Sequence, residues 1–151
     1  MTTLSRTLMS IAVGLTTVLS YAQWQQPTDS VPAYYNQPPS VGGGGGRILA
    51  GKQLTGPYFK NPFQVAAYKK ATQVQSLLYQ LPCYCRCDRA EGHRSLHSCF
   101  EGPHGASCTT CMKEVVYAYD MSRKGKSIRE IRAGIEHGDW LDIGIGDQNG
   151  N

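Results

Sequence analysis

The placement of the cysteines constrains this chain more than any other feature. All six, Cys83, Cys85, Cys87, Cys99, Cys108 and Cys111, fall in one window, and three of the four histidines, His93, His97 and His104, stand among them. No other stretch has a comparable density of soft ligands or nucleophiles, so the chemistry is expected here. Gly92, Gly102, Pro103 and Gly105 punctuate the same window and favour turns over regular structure. A long irregular segment inside a compact domain is either functional or disordered, and cysteines at both of its ends argue for functional.

The flanks of the window read as helices. Asn61-Pro62 is a start signal, Asn as cap and Pro in the first turn, where its missing N–H costs nothing. Phe63, Ala66, Ala67, Lys70, Val74, Leu77, Leu78 and Leu81 then recur at spacings of three and four, and Pro82 ends the run. A turn of helix over Ser95 to Phe100 would anchor the loop through Leu96 and Phe100. Ser107 is a cap for a second helix, Cys108 to about Met121, with Met112, Val115, Val116 and Tyr119 as its buried stripe. Ser127-Ile128-Arg129-Glu130 has the form of a capping box and opens a third helix. Ile128, Ile131 and Ile135 share its inner face, Gly138 stops it, and Trp140 and Leu141 are expected to fold back onto the core. The fold class is therefore mainly α: a small three-helix domain with a long Cys/His-rich loop between the first two helices. Antiparallel packing of those two helices would bring the two ends of the loop together.

The rest of the chain is organised around that domain. Arg6, the apolar run Leu8 to Leu19 and the small-x-small Ser20-Tyr21-Ala22 have the layout of a secretory leader over 1–22. Its apolar core is shorter than the ~18–20 residues that span a bilayer, so no membrane span is expected. Residues 23–46, rich in Gln, Pro and Tyr and closing on Gly42 to Gly46, read as a disordered tether. The Cys-rich helical domain is expected over 47–142, and 143–151 as a flexible tail. The chain is expected to be exported, to a periplasmic or extracellular space. The formal net charge of +4 is mild and dispersed, and gives no reason to expect a nucleic acid partner.

Three readings of the cysteines compete. Thiols mixed with imidazoles favour a site for a soft or borderline metal ion, Zn or Cu, held for storage, delivery or structure. The candidate ligands are Cys83, Cys85, Cys87, His97, Cys99, Cys108 and Cys111. His93 and His97, four apart, would share one face of a helical turn. The second reading is thiol–disulfide redox with a partner protein. Its nucleophile candidates are Cys85 and Cys87, beside Arg86, and Cys108, at a helix N-terminus, where a cation or the dipole favours thiolate. Outside the cytosol the bland third reading is three structural disulfides, giving a non-catalytic interaction module. Haem attachment is excluded because Met112 follows Cys111 where a histidine is required. No paired carboxylates or Ser/His/Asp arrangement suggests hydrolysis, so whether the chain is an enzyme stays open at this point.

Leu81-Pro82-Cys83-Tyr84-Cys85-Arg86-Cys87-Asp88, followed by Gly92-His93, Ser95-Leu96, Cys99 and Cys108-Thr109-Thr110-Cys111, resembles the PCYCxC-motif proteins. This is a family of exported bacterial proteins and lipoproteins of unestablished function, some of whose members carry selenocysteine. The resemblance runs from the first helix to Trp140. It implies export, and the selenocysteine members imply chemistry at a chalcogen in some relatives. Arg86 stands where such proteins often have glycine, and no lipobox precedes the domain.

Overall fold

A computed structural model describes residues 30–40 and 45–145. The expected leader lies outside the described residues, as do 23–29 and 41–44 of the expected tether and 146–151 of the expected tail. In chain order the helices are α1 (Pro62–Gln73), α2 (Gln75–Leu78), α3 (Cys87–Ala90), α4 (Thr109–Arg123) and α5 (Ile128–His137). Among the described residues three 3-10 turns accompany them: Gly51–Gln53, Leu96–Phe100 and Pro103–Ser107. Among the described residues there is no strand, and no helix is long and apolar enough to cross a membrane. The protein is mainly α, and α1, α4 and α5 are the three principal helices, with the cysteine loop between the first two of them.

The start of α1 is the one its sequence dictates. Asn61 Oδ1 accepts the Phe63 N–H at 2.9 Å, and the Asn61 N–H is returned to Gln64 Oε1 at 2.9 Å. The end differs from the expected run to Leu81, because the helix stops at Gln73 and Val74 leaves helical geometry (φ −126°, ψ 26°). Local side chains compete for the backbone there. Thr72 Oγ1 and Gln73 Nε2 both donate to Lys69 O, and Gln75 Nε2 donates to Thr72 O. Such bonds offer the backbone an alternative to the helical ladder. One further turn, α2, follows before Leu81 and Pro82, both buried.

The break changes how the loop ends meet. Gln64, at the start of α1, donates to Ala106 O just before α4 (2.7 Å). Towards the far end, Lys70 pairs with Asp120 (2.9 Å) and Tyr119 with Gln73 (3.5 Å). Start lies by start and end by end, so α1 and α4 run in the same sense, not antiparallel as expected. The segment after Val74 is what returns the chain: it runs back along α4 until the Tyr84 N–H reaches Glu114 Oε1 at 2.8 Å. Without the break at Val74, Cys83 would emerge at the wrong end of α4.

Core packing then pins the loop. Leu96, Cys99 and Phe100 are fully buried on the 3-10 turn, with the Leu96 N–H on Leu81 O (2.9 Å). Tyr68 of α1 packs edge-on against Phe100, ring centroids 4.9 Å apart. The Tyr68 hydroxyl donates to Gly102 O (2.6 Å) and accepts the Ala106 N–H (3.1 Å), bridging both ends of the next turn. Burial pushes this phenol above its ordinary range.

The capping box of α5 forms as read, Ser127 N–H on Glu130 Oε2 (2.8 Å) and Glu130 N–H on Ser127 Oγ (3.3 Å). Ile131 and Ile135 are fully buried, and Gly138 closes the helix at φ 92°. Trp140 folds back, its Nε1 donating to Ile135 O (3.1 Å), whereas Leu141 remains 58 % exposed. In the described part of the expected tether Pro32 is buried and the Tyr35 N–H reaches Tyr79 O (2.9 Å). Arg132 lies over the Tyr34 ring (4.2 Å), so rings serve here where aliphatic residues are few.

Two substitutions separate core anchoring from capping. Phe100→Ala is expected to destabilise the fold by about 3–5 kcal/mol, through lost burial and the cavity left behind. Ser127→Ala is expected to cost about 1 kcal/mol. Urea unfolding of both variants, read by far-UV circular dichroism, checks the ranking.

Candidate metal centre

Each sulfur arrives on a short element whose placement the core decides. Cys83 follows buried Pro82, and Cys85 and Cys87 follow at alternate positions. Arg86 between them takes a left-handed conformation, φ 62° and ψ 26°, and leads directly into α3. This reverses the chain within one residue and curls the Cys-Tyr-Cys-Arg-Cys string, which stays far from an extended strand. Cys99 comes up on the 3-10 turn Leu96–Phe100, and Cys108 and Cys111 stand at the start of α4. Gly105 lies so close to the Cys99 carbonyl that an added Cβ would meet it at 2.7 Å. The two 3-10 turns can therefore nest only with glycine there.

The sulfurs converge. Cys83 Sγ is 3.3 Å from Cys85 Sγ and 3.4 Å from Cys111 Sγ, and Cys85 and Cys111 are 3.6 Å apart. Cys87 and Cys99 are 3.3 Å apart, and His93 Nδ1 is 3.4 Å from Cys99 Sγ. All six cysteines are free. Three overlapping groups place four donor atoms within 4.8 Å of one another: Cys83, Cys85, Cys87, Cys99; Cys85, Cys99, His104, Cys111; and Cys87, His93, Cys99, His104. Around a tetrahedral zinc with ~2.3 Å bonds the sulfurs would be ~3.8 Å apart. The observed contacts are of that size, and the cluster is compatible with holding a metal ion.

The histidines are the other way round from expectation. His97 is away from the sulfurs: its ring is 1 % exposed, stacked on Tyr79 at 3.8 Å, and its Nδ1 is bonded to Glu101 Oε1 at 2.9 Å. A 3-10 turn beginning only at Leu96 leaves His93 outside the helix, so the i, i+4 face it was to share with His97 does not form. His93 and His104 join the cluster instead, their rings edge to face at 4.9 Å. Nothing in the local sequence marked His104; Gly102, Pro103 and Gly105, which build its turn, were the only signal. Its Nε2 is buried with no hydrogen-bond partner. Burial, and then the neighbouring His104, lower the pKa of His93 and favour the neutral ring that a metal requires.

Sulfur–sulfur contacts lead among the influences on proton affinity within the cluster. Bonds from Cys108, Cys111 and Cys83 hold Cys85 well below the ordinary thiol range. Bonds to Cys111 and Cys85 raise Cys83. At Cys99 the stabilising bond from Cys111 is outweighed by those involving Cys83, Cys85 and Cys87, so it too is raised. Cys111 is raised, first by its bond to Cys108. Cys108 is the true cap of α4 in place of Ser107, its Sγ accepting the Cys111 N–H at 3.4 Å. Cys111 stabilises its thiolate, but the bond to Cys85 and burial prevail and push the pKa up to about 11. Cys108 is thus raised where a helix N-terminus was expected to lower it, and Cys85 is lowered by its sulfur neighbours, where the expectation rested on Arg86.

Glu114 is the group that sequence reasoning missed. It is completely buried on α4, one turn after Cys111, with Oε1 accepting the Tyr84 N–H and Oε2 without a hydrogen-bond partner. Burial drives its pKa up to about 8, with the Cys83 thiol and the Tyr84 amide acting in the opposite direction. A carboxylate within the spacing Cys111, Val115, Ala118 was the available signal. A cleft of about 340 Å³ opens beside the cluster, lined by Cys85, Cys87, His104 and Cys108 among others.

A family model described as a protein of unknown function with a PCYCGC motif matches residues 57–140. No curated protein and no solved structure matches the chain. The motif's glycine falls at Arg86, which among the described residues is the one non-glycine with positive φ. Glycine adopts that conformation without a Cβ penalty, so the motif residue is explained by the backbone reversal between Cys85 and Cys87.

Two outcomes follow. Arg86→Gly is expected to be more stable than Arg86→Ala by about 1 kcal/mol, since both remove the side chain and only glycine relieves the left-handed strain. Equilibrium unfolding of the pair decides it. The folded pKa of Glu114 lies above its ordinary value of 4.5, so its stabilising contribution is fully present below 4.5 and is lost as pH rises toward about 8. In reduced, metal-free protein Glu114→Gln is expected to flatten the fall in Tm across that interval, measured by circular dichroism melts against pH.

Proposed function

The chain belongs to the family of PCYCGC-motif proteins, and from that premise and the cluster's geometry we propose that it binds a soft or borderline metal ion, Zn(II) or Cu(I), outside the cytosol. The observation that carries this reading is the convergence of six unpaired thiols and two imidazoles on one place. Cysteine packs well as a small apolar residue, and this accounts for one or two buried thiols. It does not account for sulfurs gathered at 3.3–3.6 Å with a buried, partnerless His104 Nε2 beside them. The proposed ligands are Cys83, Cys85, Cys87, Cys99, Cys108 and Cys111 with His93 and His104. Soft thiolates favour Cu(I) and Zn(II) over hard cations, and an all-protein donor set with most sulfurs buried suits retention or hand-over of the ion. The leader-like N-terminus supports export.

One observation favours thiol exchange as a second reading. Cys85 combines a lowered pKa with a place on the cleft wall, and Cys83 and Cys111 stand beside it to resolve a mixed disulfide.

Metal analysis of the full chain, reduced, loaded with Zn(II) or with Cu(I) and desalted under anaerobic conditions, tests the proposal. The ion should be retained and should protect several cysteines from alkylation at once. Cys99→Ser should weaken retention of at least one ion by about tenfold or more, because Cys99 belongs to each of the three groups whose donor atoms all lie within 4.8 Å of one another. His97→Gln should leave retention unchanged and lower the Tm. Loss of all metal on desalting, with the thiols fully alkylatable, would overturn the metal reading, and rapid oxidation of Cys85 by a small disulfide would then support exchange.

A further inference from the structure

The eight donors outnumber what one ion can use. A Zn(II) ion takes four ligands, and whichever group of four it occupies leaves the others behind. An ion held by Cys83, Cys85, Cys87 and Cys99, for example, leaves Cys108, Cys111, His93 and His104 unused. The donors divide differently, into two groups of four with no member in common. Cys87, His93, Cys99 and His104 form the first, with all four donor atoms within 4.8 Å of one another. The second is built on the triangle of Cys83, Cys85 and Cys111, with sides of 3.3, 3.4 and 3.6 Å. Cys108 completes it from the start of α4, its Sγ accepting the N–H of Cys111, a corner of that triangle, at 3.4 Å.

We propose that the cluster is a two-ion centre, with one ion in a nitrogen–sulfur compartment (Cys87, His93, Cys99, His104) and one in an all-sulfur compartment (Cys83, Cys85, Cys108, Cys111). This rests on the metal-binding reading and goes further, by fixing stoichiometry and ligand partition. The partition follows the architecture. The first compartment is supplied by the loop, from α3, from His93 just beyond it and from the two 3-10 turns Leu96–Phe100 and Pro103–Ser107. The second joins the end of the returning chain to the first turn of α4. The two compartments abut, since Cys85 and Cys99 also occur together in donor groups that cross between them. The nitrogen–sulfur set matches closed zinc sites, whereas the all-sulfur set accepts Zn(II) and Cu(I) alike.

The test is native mass spectrometry of the full chain, reduced and metal-free, titrated anaerobically with Zn(II) alone. Two Zn(II) per chain are expected. The His93→Ala/His104→Ala double variant should retain one, and so should Cys83→Ser/Cys111→Ser. Cadmium-113 NMR of the wild-type chain gives a readout that depends on no variant folding: two resonances are expected, the all-sulfur one further downfield. One Zn(II) per chain with a single cadmium resonance would overturn the two-ion centre and leave the metal-binding reading intact. No bound Zn(II) or cadmium would overturn both.

Discussion

The cysteine loop is held in register by one phenol. Tyr68 lies on the inner face of α1, and its hydroxyl bridges Gly102 O and the Ala106 N–H while its ring rests on Phe100. A buried hydroxyl satisfied on both its donor and acceptor sides fixes a backbone more sharply than apolar contact, which has no direction. Through it the first helix sets the positions of the two 3-10 turns, and those turns carry Cys99 and His104. Leu96 and Phe100 supply the burial that keeps the arrangement in place. A loop with few aliphatic residues is thereby ordered from outside.

The buried polar groups around the cluster fall into two kinds. His97 is satisfied by Glu101 and stacked on Tyr79, which marks it as part of the packing. His104 Nε2 and Glu114 Oε2 are buried without a hydrogen-bond partner, and both belong to the neighbourhood of the sulfurs. Unsatisfied buried polar atoms are costly and uncommon, and among the described residues two of the four, the other two being Asp88 Oδ1 and Ser95 Oγ, lie beside the sulfurs. Glu114 also shows how the site and the fold share groups. One carboxylate oxygen ends the returning segment at Tyr84, and the same side chain stands beside Cys83.

Local signals were legible wherever a few neighbouring residues decide the conformation. The Asn61-Pro62 start, the capping box at Ser127, the Gly138 stop and the anchoring roles of Leu96 and Phe100 all follow from side chains within one or two turns. The gathering of soft donors in one window was legible too, because composition alone displays it. The end of α1 was misread because apolar periodicity continues through Val74 to Leu81 while side-chain bonds to Lys69 O and Thr72 O break the helix beneath it. Periodicity records which face is buried and is silent on whether the backbone stays helical.

By itself, then, the sequence determined the helical class, the caps of α1 and α5 and the gathering of the sulfurs in one window, since these rest on short-range chemistry. Only the tertiary structure decided that α1 and α4 run in the same sense, that His93 and His104 join the sulfurs, and that His97 does not. It also placed Glu114 in the interior and gave Cys85, not Cys108, the lowered pKa. Each of these depends on groups far apart in the chain, such as Gln64 with Ala106, Tyr84 with Glu114 and Cys83 with Cys111. A side chain's partner across such a distance is set by the packing of the whole domain, and no local pattern encodes it.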